Sequence, residues 1–340
     1  MRCSILHGDV LDMLAKIGDA KVQCVVTSPP YWNLRDYGVD GQLGLGDTPA
    51  GYVVSMVKVF REVRRVMRDD GTLWLNLGDS YCSQAPGKRD ADRWPKQERN
   101  GHPGFSKLGF GMKPKDLVGI PWMVAFALRE DGWHLRSDII WAKPNPMPES
   151  VTDRPTKSHE HVFLLTKSER YRYDAAAIKE PSKNPTDDRH ARAKVGQKSN
   201  PTDKLNGCRP VVRVPTGWDT SRGRGGHGSF HKDGRASAPE HRPRTYPMRN
   251  KRDVWTIATR PFPDAHFATF PEKLVVPCVL AGSTPNSIVM DPFCGAGTVG
   301  VVALGLGRHF VGIEINQKYV DMGRRRIMDK FGLLVEECAI

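Results

Sequence analysis

Apolar positions alternate along the chain between unbroken short runs and runs spaced three and four apart. CSILHGD reads as a strand, and VLDMLAKI as a helix with Val10, Met13, Leu14 and Ile17 on one face. VQCVVTS is apolar without alternation and is closed by Pro29 and Pro30, as a strand buried on both faces requires. TPAGYVVSMVKVFREVRRVMRDDG predicts an amphipathic helix, with Thr48 as N-cap and Pro49 as first helical residue. TLWLNLGDS is the next buried strand, and PWMVAFALREDG a helix ending at Gly132. WHLRSDIIWAKPN and HEHVFLLTKSERYRY predict two antiparallel strands. Near the C-terminus PEKLVVPCVLAG, TVGVVALGLG and NQKYVDMGRRRIMDKF predict helices, separated by the strands SIVMDPF and RHFVGIEI. Strands alternating with helices predict an α/β fold: a doubly wound, mostly parallel sheet with helices on both faces and an antiparallel hairpin.

The pattern stops between residues 179 and 252. There, 18 Lys and Arg stand against 7 Asp and Glu, an excess of 11 out of the chain's net charge of +13. This stretch contains GWDTSRGRGGHGSFHKDGRASAPEHRPR, which has almost no apolar periodicity and cannot bury a core of its own. It reads as a basic, loop-rich, partly flexible insertion between folded parts at 1–178 and 253–340. A solvated linker and a segment that orders on nucleic-acid phosphates both fit that composition. No apolar run approaches the roughly 18–20 residues that span a bilayer, so no membrane partner is expected. MRCSILHGDVLDML carries acids inside its apolar stretch and no small-residue cleavage site, so no signal peptide is expected. The seven cysteines (3, 24, 82, 208, 278, 294, 338) form no C-x-x-C pair, which argues against a zinc ribbon or a disulfide framework and for a reducing cytosol.

Chemistry concentrates in two places. DPFCGAGTVG, at 291–300, follows a predicted strand and opens a predicted helix. Gly295, Gly297 and Gly300 satisfy G-x-G-x-x-G, which permits a tight turn and close approach of a ligand to a helix N-terminus. Glu314 lies 23 positions after Asp291, at the end of the next strand, where an acid can accept ribose hydroxyls. The glycines alone suit a nicotinamide dinucleotide as well as another adenosine cofactor. No Lys follows them, which excludes a P-loop. Asp291 at the strand tip would repel a pyrophosphate and favours a cationic amino-acid tail, as in S-adenosylmethionine.

TSPPYW, at 27–32, follows the buried strand. Pro29 and Pro30 stiffen the backbone and leave local carbonyls free to accept. Ser28 adds a hydroxyl, and Tyr31 and Trp32 add flat faces for stacking. A rigid turn with acceptors and an aromatic plane suits the exocyclic amino group of a planar base.

TSPPYW resembles the catalytic motif of the DNA amino-methyltransferases, (Asp/Asn/Ser)-Pro-Pro-(Tyr/Phe/Trp). DPFCGAGT resembles their cofactor motif, often Asp-Pro-Phe-x-Gly-x-Gly-Thr. The catalytic motif comes first, as in the β-group of these enzymes. LHGDVLDML, WAKPNPMPES, HEHVFLLTKS and HFATFPEKL are also similar, so the resemblance covers about 1–178 and 253–330. It implies a Rossmann-like sheet of the S-adenosylmethionine-dependent methyltransferase type. Asp291, Phe293, Gly295, Gly297 and Thr298 would line the cofactor pocket, Glu314 would hold the ribose, and Asp9 would sit near the adenine amino group. Phe270, Pro271 and Lys273 would close the methionine end. Ser28, Pro29, Pro30 and Tyr31 would hold the target base. Ala296 departs from the family's frequent Ser and costs one hydrogen bond.

The resemblance implies site-specific transfer of a methyl group to double-stranded DNA, in or derived from a restriction-modification system. The target would be N4 of a flipped-out cytosine, since Ser-Pro-Pro-Tyr usually accompanies cytosine; adenine N6 is the alternative. A cognate endonuclease and a homodimer are compatible partners. The expected setting is cytoplasmic and DNA-associated, in a bacterium, archaeon or phage. The basic insertion is the candidate for target recognition, with Trp218, Arg222 and Arg224 as contacts. Two other classes stay open: a nicotinamide oxidoreductase, and a non-catalytic nucleic-acid binder. No metal and no cysteine nucleophile are expected; Cys294 reads as a packing residue, and His159 and His161 lack further ligands. Asp79 reads either as orienting a water or the base, or as a cap for the next segment. Trp74 and Trp141 read as core.

Overall fold

The computed structural model describes residues 1–34, 38–39, 41–82, 111–182, 247–259, 270–332 and 336–337. The chain divides into two compact units, 1–178 with 250–340, and 179–249. The larger unit carries strands β1 (Arg2–His7), β2 (Val22–Thr27), β3 (Met67–Leu77), β4 (His134–Ala142) and β5 (His159–Thr166). β8 (Val254–Thr256), β9 (Ile288–Asp291), β10 (His309–Glu314) and β11 (Glu336–Glu337) complete its sheet, in the order β11-β1-β10-β9-β2-β3-β5-β4-β8. Neighbours are parallel throughout, except that β5 runs antiparallel to both β3 and β4. In the smaller unit the described residues form one antiparallel pair, β6 (Glu180–Pro181) with β7 (Met248–Arg249), tied by Arg249 and Glu180 at 2.9 Å. Trp218, Arg222 and Arg224 lie outside the described residues.

Helices cover both faces of the large sheet. α1 (Val10–Ala15), α2 (Pro49–Val66) and α3 (Ile120–Glu130) pack with Val25, Leu73, Leu75 and Phe163 on one face. α4 (Glu272–Gly282), α5 (Thr298–Gly305) and α6 (Gln317–Phe331) pack with Cys24, Val26, Trp74 and Val289 on the other. Every residue of β2 is therefore buried, which accounts for its apolar run without alternation. α2 starts as its sequence predicts: Pro49 is its first residue, and the Thr48 hydroxyl accepts from the Gly51 amide at 2.9 Å. Its end differs. The expected helix through Gly71 stops at Val66, because Met67 is buried and joins β3 opposite Val22. Trp74 and Trp141 are core residues. Among the described residues no helix is long and apolar enough to cross a membrane.

β2 and β9 are neighbours, yet the chain leaves them in opposite directions, toward β3 and toward β10. Such a reversal of strand order opens a crevice at the carboxyl ends of the strands. The helix that flanks it is seated by glycine: a Cβ at Gly300 would lie 2.7 Å from the Phe310 ring, which is fully buried. Gly300→Ala is expected to push α5 off β10 at a cost of about 1–3 kcal/mol. A thermal melt followed by circular dichroism would show the lowered midpoint.

Candidate active site

The parallel pairing of β2 with β9 sets Val25 opposite Met290, so the two strands end side by side. The Thr27 hydroxyl donates to Asp291 Oδ1 at 2.6 Å, with both side chains buried. The Phe293 amide donates to the same oxygen at 3.1 Å and starts the glycine turn. Gly295 (φ +49°) and Gly297 (φ +73°) take left-handed conformations that strain other residues. A Cβ at Gly297 would lie 3.2 Å from the Gly323 Cα, whereas one at Gly295 would meet nothing within 4 Å. The turn is thus pressed against α6 on one side and open on the other.

Two further carboxylates stand at the same sheet edge. Glu314 accepts from the Gly295 amide at 2.8 Å and the Asn316 amide at 2.9 Å, which fastens the turn to the end of β10. Asp9 follows β1, the neighbour of β10, and caps α1 through the Leu11 amide at 2.8 Å. Burial pushes the Asp291 carboxyl up to about 7, against the hydrogen bonds from Thr27 and Phe293. Burial also raises the Glu314 carboxyl, against its backbone hydrogen bonds.

The other expected cofactor residues are placed unequally. Phe293 and Phe270 are half-buried, and Phe270 closes a small cavity with Val26, Thr27 and Asn76. Pro271 is buried as the N-cap of α4, and Lys273 is exposed on that helix. Thr298 is buried, and its hydroxyl accepts from Arg326 Nη1 of α6 at 2.9 Å, so that group is committed to helix packing. The Ala296 carbonyl accepts from the same Arg326 nitrogen at 3.3 Å. Cys294 is buried and burial drives its thiol up, as suits a packing residue.

Of the turn after β2, only part is exposed. Trp32 is buried and its indole N–H donates to the Asp47 carbonyl at 2.8 Å, so it anchors the chain and offers no stacking face. The Pro30 carbonyl accepts from the Tyr52 hydroxyl at 2.8 Å and is likewise taken. Ser28 and Tyr31 remain part-exposed, with the Ser28 Oγ 3.3 Å from the Tyr31 oxygen. Tyr31 in turn donates to Glu160 Oε2 at 2.7 Å. Asn76 Nδ2 donates to Glu160 at 2.7 Å and also to Tyr31, while Lys143 pairs with the other Glu160 oxygen. Burial opposes the Glu160 charge, but the Lys143 ammonium and these hydrogen bonds outweigh it and hold the carboxyl below the usual range.

Sequence reading missed Thr27, Asn76, Lys143 and Glu160. The available signal was a Glu inside the apolar run HEHVFLLT, where alternation sets it on the face opposite both histidines. Those histidines stay with aromatic neighbours: His161 stacks on Phe163 at 5.6 Å and meets Asp138 at 2.9 Å. Among the described residues, no group of three or more His, Cys, Asp or Glu could hold a metal. Asp79 proves to be a cap: its carboxylate accepts from the amides of Gly119 at 3.0 Å and Ile120 at 3.2 Å, at the start of α3.

The raised Asp291 makes a prediction independent of any ligand. A carboxyl whose folded value is raised from 3.8 to about 7 stabilises the fold below pH 4 and loses that contribution as pH rises through 7. Between pH 5 and 8 the loss is on the order of 2–3 kcal/mol. Urea unfolding at the two pH values should show that slope in the wild type, relative to Asp291→Asn.

The chain matches the DNA methylase family over residues 22–325. It is 42% identical to the Type II methyltransferase M.Cfr9I of Citrobacter freundii over 325 residues, 95% of this chain and 87% of that one. Two solved structures share its fold. One is a putative DNA modification methylase of Thermus thermophilus complexed with S-adenosyl-L-methionine (20% identity, 99% of each chain, TM-score 0.55). The other is the cytosine-N4-specific PvuII DNA methyltransferase (16% identity, 96% of this chain and 86% of that one, TM-score 0.57). The chain belongs to the N6/N4 DNA methylase family, with S-adenosylmethionine as its cofactor.

Proposed function

We propose that the chain methylates N4 of a cytosine flipped out of double-stranded DNA, as the modification activity of a restriction-modification system. The observation that carries this reading is the 2.6 Å bond from Thr27 to Asp291, which joins the Ser-Pro-Pro-Tyr turn to the glycine turn. The site fits the cofactor. It offers open space over Gly295, an acid at Asp291 that burial leaves in want of a cation, and a second carboxylate at Glu314. Asp291, Phe293, Gly295 and Gly297 would form its cradle, with Thr298 holding the turn to α6 through Arg326, Glu314 at the ribose and Asp9 at the adenine. Phe270, Pro271 and Lys273 would close the methionine end. The bound cofactor supplies an electrophilic methyl carbon.

The protein's own part is to hold the base and direct its lone pair. Flipping costs a few kcal/mol, which stacking on Tyr31 and phosphate contacts offset. An exocyclic amino lone pair is delocalised into the ring. Ser28 Oγ and the Pro29 carbonyl, accepting its two N–H bonds, turn the lone pair toward the methyl group. Holding the amino nitrogen against the methyl carbon would supply most of the remaining rate; the C–S bond would break as the N–C bond forms, and the amino group would lose one proton to solvent. Ser28 favours cytosine because a hydroxyl can donate to ring N3 as well as accept from the amino group, which a carboxylate there cannot. The basic stretch 179–252, with Trp218, Arg222 and Arg224, is assigned to target recognition on its charge.

Nucleoside mass spectrometry of mixed-sequence DNA incubated with protein and S-adenosylmethionine should show N4-methylcytosine. N6-methyladenine would overturn the base choice and keep the chemistry; no modified base would sink the reading. Ser28→Ala should lower kcat roughly ten- to hundredfold, the loss of one or two strong hydrogen bonds in the transition state. Cofactor affinity, read by calorimetry, should stay unchanged; equal loss of both would remove Ser28 from the chemistry.

A further inference from the structure

We propose that Met147 is a wedge that enters the DNA base stack and fills the gap left by the flipped cytosine, an assignment that rests on the base-flipping reading above. Among the described residues Met147 is the most exposed large apolar side chain, at 85%. It stands on the segment 143–158, which leaves β4 and returns as β5. β4 is antiparallel to β5, and β5 to β3, so β4 and β3 end at the same edge of the sheet. Ser-Pro-Pro-Tyr leaves β2, a parallel neighbour of β3, at that edge too. A duplex that delivers a base to Ser28 lies along this edge, where Met147 projects.

The segment is held at three points. The Lys143 amide donates to the Ser158 carbonyl at 2.7 Å, which closes the loop at its base. Asn145 is fastened to Thr259, just past β8: its Nδ2 donates to the Thr259 carbonyl at 3.2 Å, and its Oδ1 accepts from the Thr259 amide at 3.0 Å. Glu149 pairs with Arg154 at 2.6 Å, and that guanidinium lies 3.9 Å from the centre of the Tyr81 ring, past the end of β3. Between the ties at Asn145 and Glu149 stand Pro146, Met147 and Pro148, with Pro144 before them. Each proline fixes its own φ and keeps the residue before it out of the helical region. Three of the five residues 144–148 lack an N–H, so this stretch cannot pair as an inner strand. A stiff backbone thus keeps Met147 out in water. Lys143 also pairs with Glu160, which accepts from Tyr31 at 2.7 Å. One ion pair therefore links the base of this loop to the tyrosine that holds the flipped base. A gap in the stack has apolar faces above and below. An unbranched, polarisable thioether fills such a space well, and methionine is among the side chains that insert between base steps.

The test compares wild type, Met147→Ala and Met147→Leu on a duplex carrying a site that the wild type methylates, and on the same duplex with the target base mispaired. On the paired site, single-turnover methyl transfer by Met147→Ala should be about tenfold slower than by wild type. On the mispaired site, where little unpairing remains to be done, its loss should stay under about twofold. Met147→Leu, apolar and of similar volume, should keep most of the wild-type rate on both. Calorimetry should give all three proteins the same cofactor affinity. Unaltered transfer by Met147→Ala on the paired site would overturn the assignment. So would equal loss on both duplexes, a loss in Met147→Leu as large as in Met147→Ala, or a fall in cofactor affinity. Any of these, with a wild type that methylates DNA, sinks the wedge alone. A wild type that transfers no methyl group sinks the reading beneath it as well.

Discussion

The hydrogen bond between Thr27 and Asp291 is the constraint on which the candidate site depends. The two residues are 264 positions apart in the chain and end adjacent parallel strands. Parallel pairing aligns their carboxyl ends, so the segments leaving the two strands must share one edge. Ser-Pro-Pro-Tyr leaves β2, and the glycine turn leaves β9. The reversal of strand order between them opens the crevice into which both turns project. Without that register, the two motifs would be unrelated loops.

Charge management at this edge takes two forms. Asp291 is buried with two neutral donors, and the nearby Glu314 carboxylate adds to the effect of burial, so its carboxyl rises to about 7. Glu160 is also shielded, but a lysine ammonium and the donors of Tyr31 and Asn76 hold it ionised. The difference is a matter of partners. A buried acid without a cation is an invitation to a cationic ligand, whereas one already paired serves as a fixed acceptor for its neighbours.

Several residues of the motifs serve the scaffold. Trp32 and the Pro30 carbonyl anchor the turn to Asp47 and Tyr52, which makes Ser28 and Tyr31 stand on a rigid base. Thr298 and Ala296 are tied to Arg326, which bridges onward to Glu272 at 2.9 Å and so links α6, the glycine turn and α4. Asp79 holds the start of α3. Preorganisation of this kind fixes the reacting geometry before a ligand arrives.

Periodicity determined the sequence of strands and helices, because burial on one face or two leaves a local imprint on every element. The unalternating run of β2, the Thr48 cap and the glycine turn were all legible for that reason, as was the order of the two motifs. Tertiary structure decided what no local pattern encodes. The end of α2 at Val66 depends on Met67 pairing with Val22 across the sheet. The burial of Trp32 depends on a partner 15 residues away, and the roles of Asp79 and Glu160 depend on partners 40 and 129 residues away. A side chain's type lists what it can bond. Only the fold decides which groups come within reach, since a hydrogen bond requires about 3 Å and a sequence carries no distances.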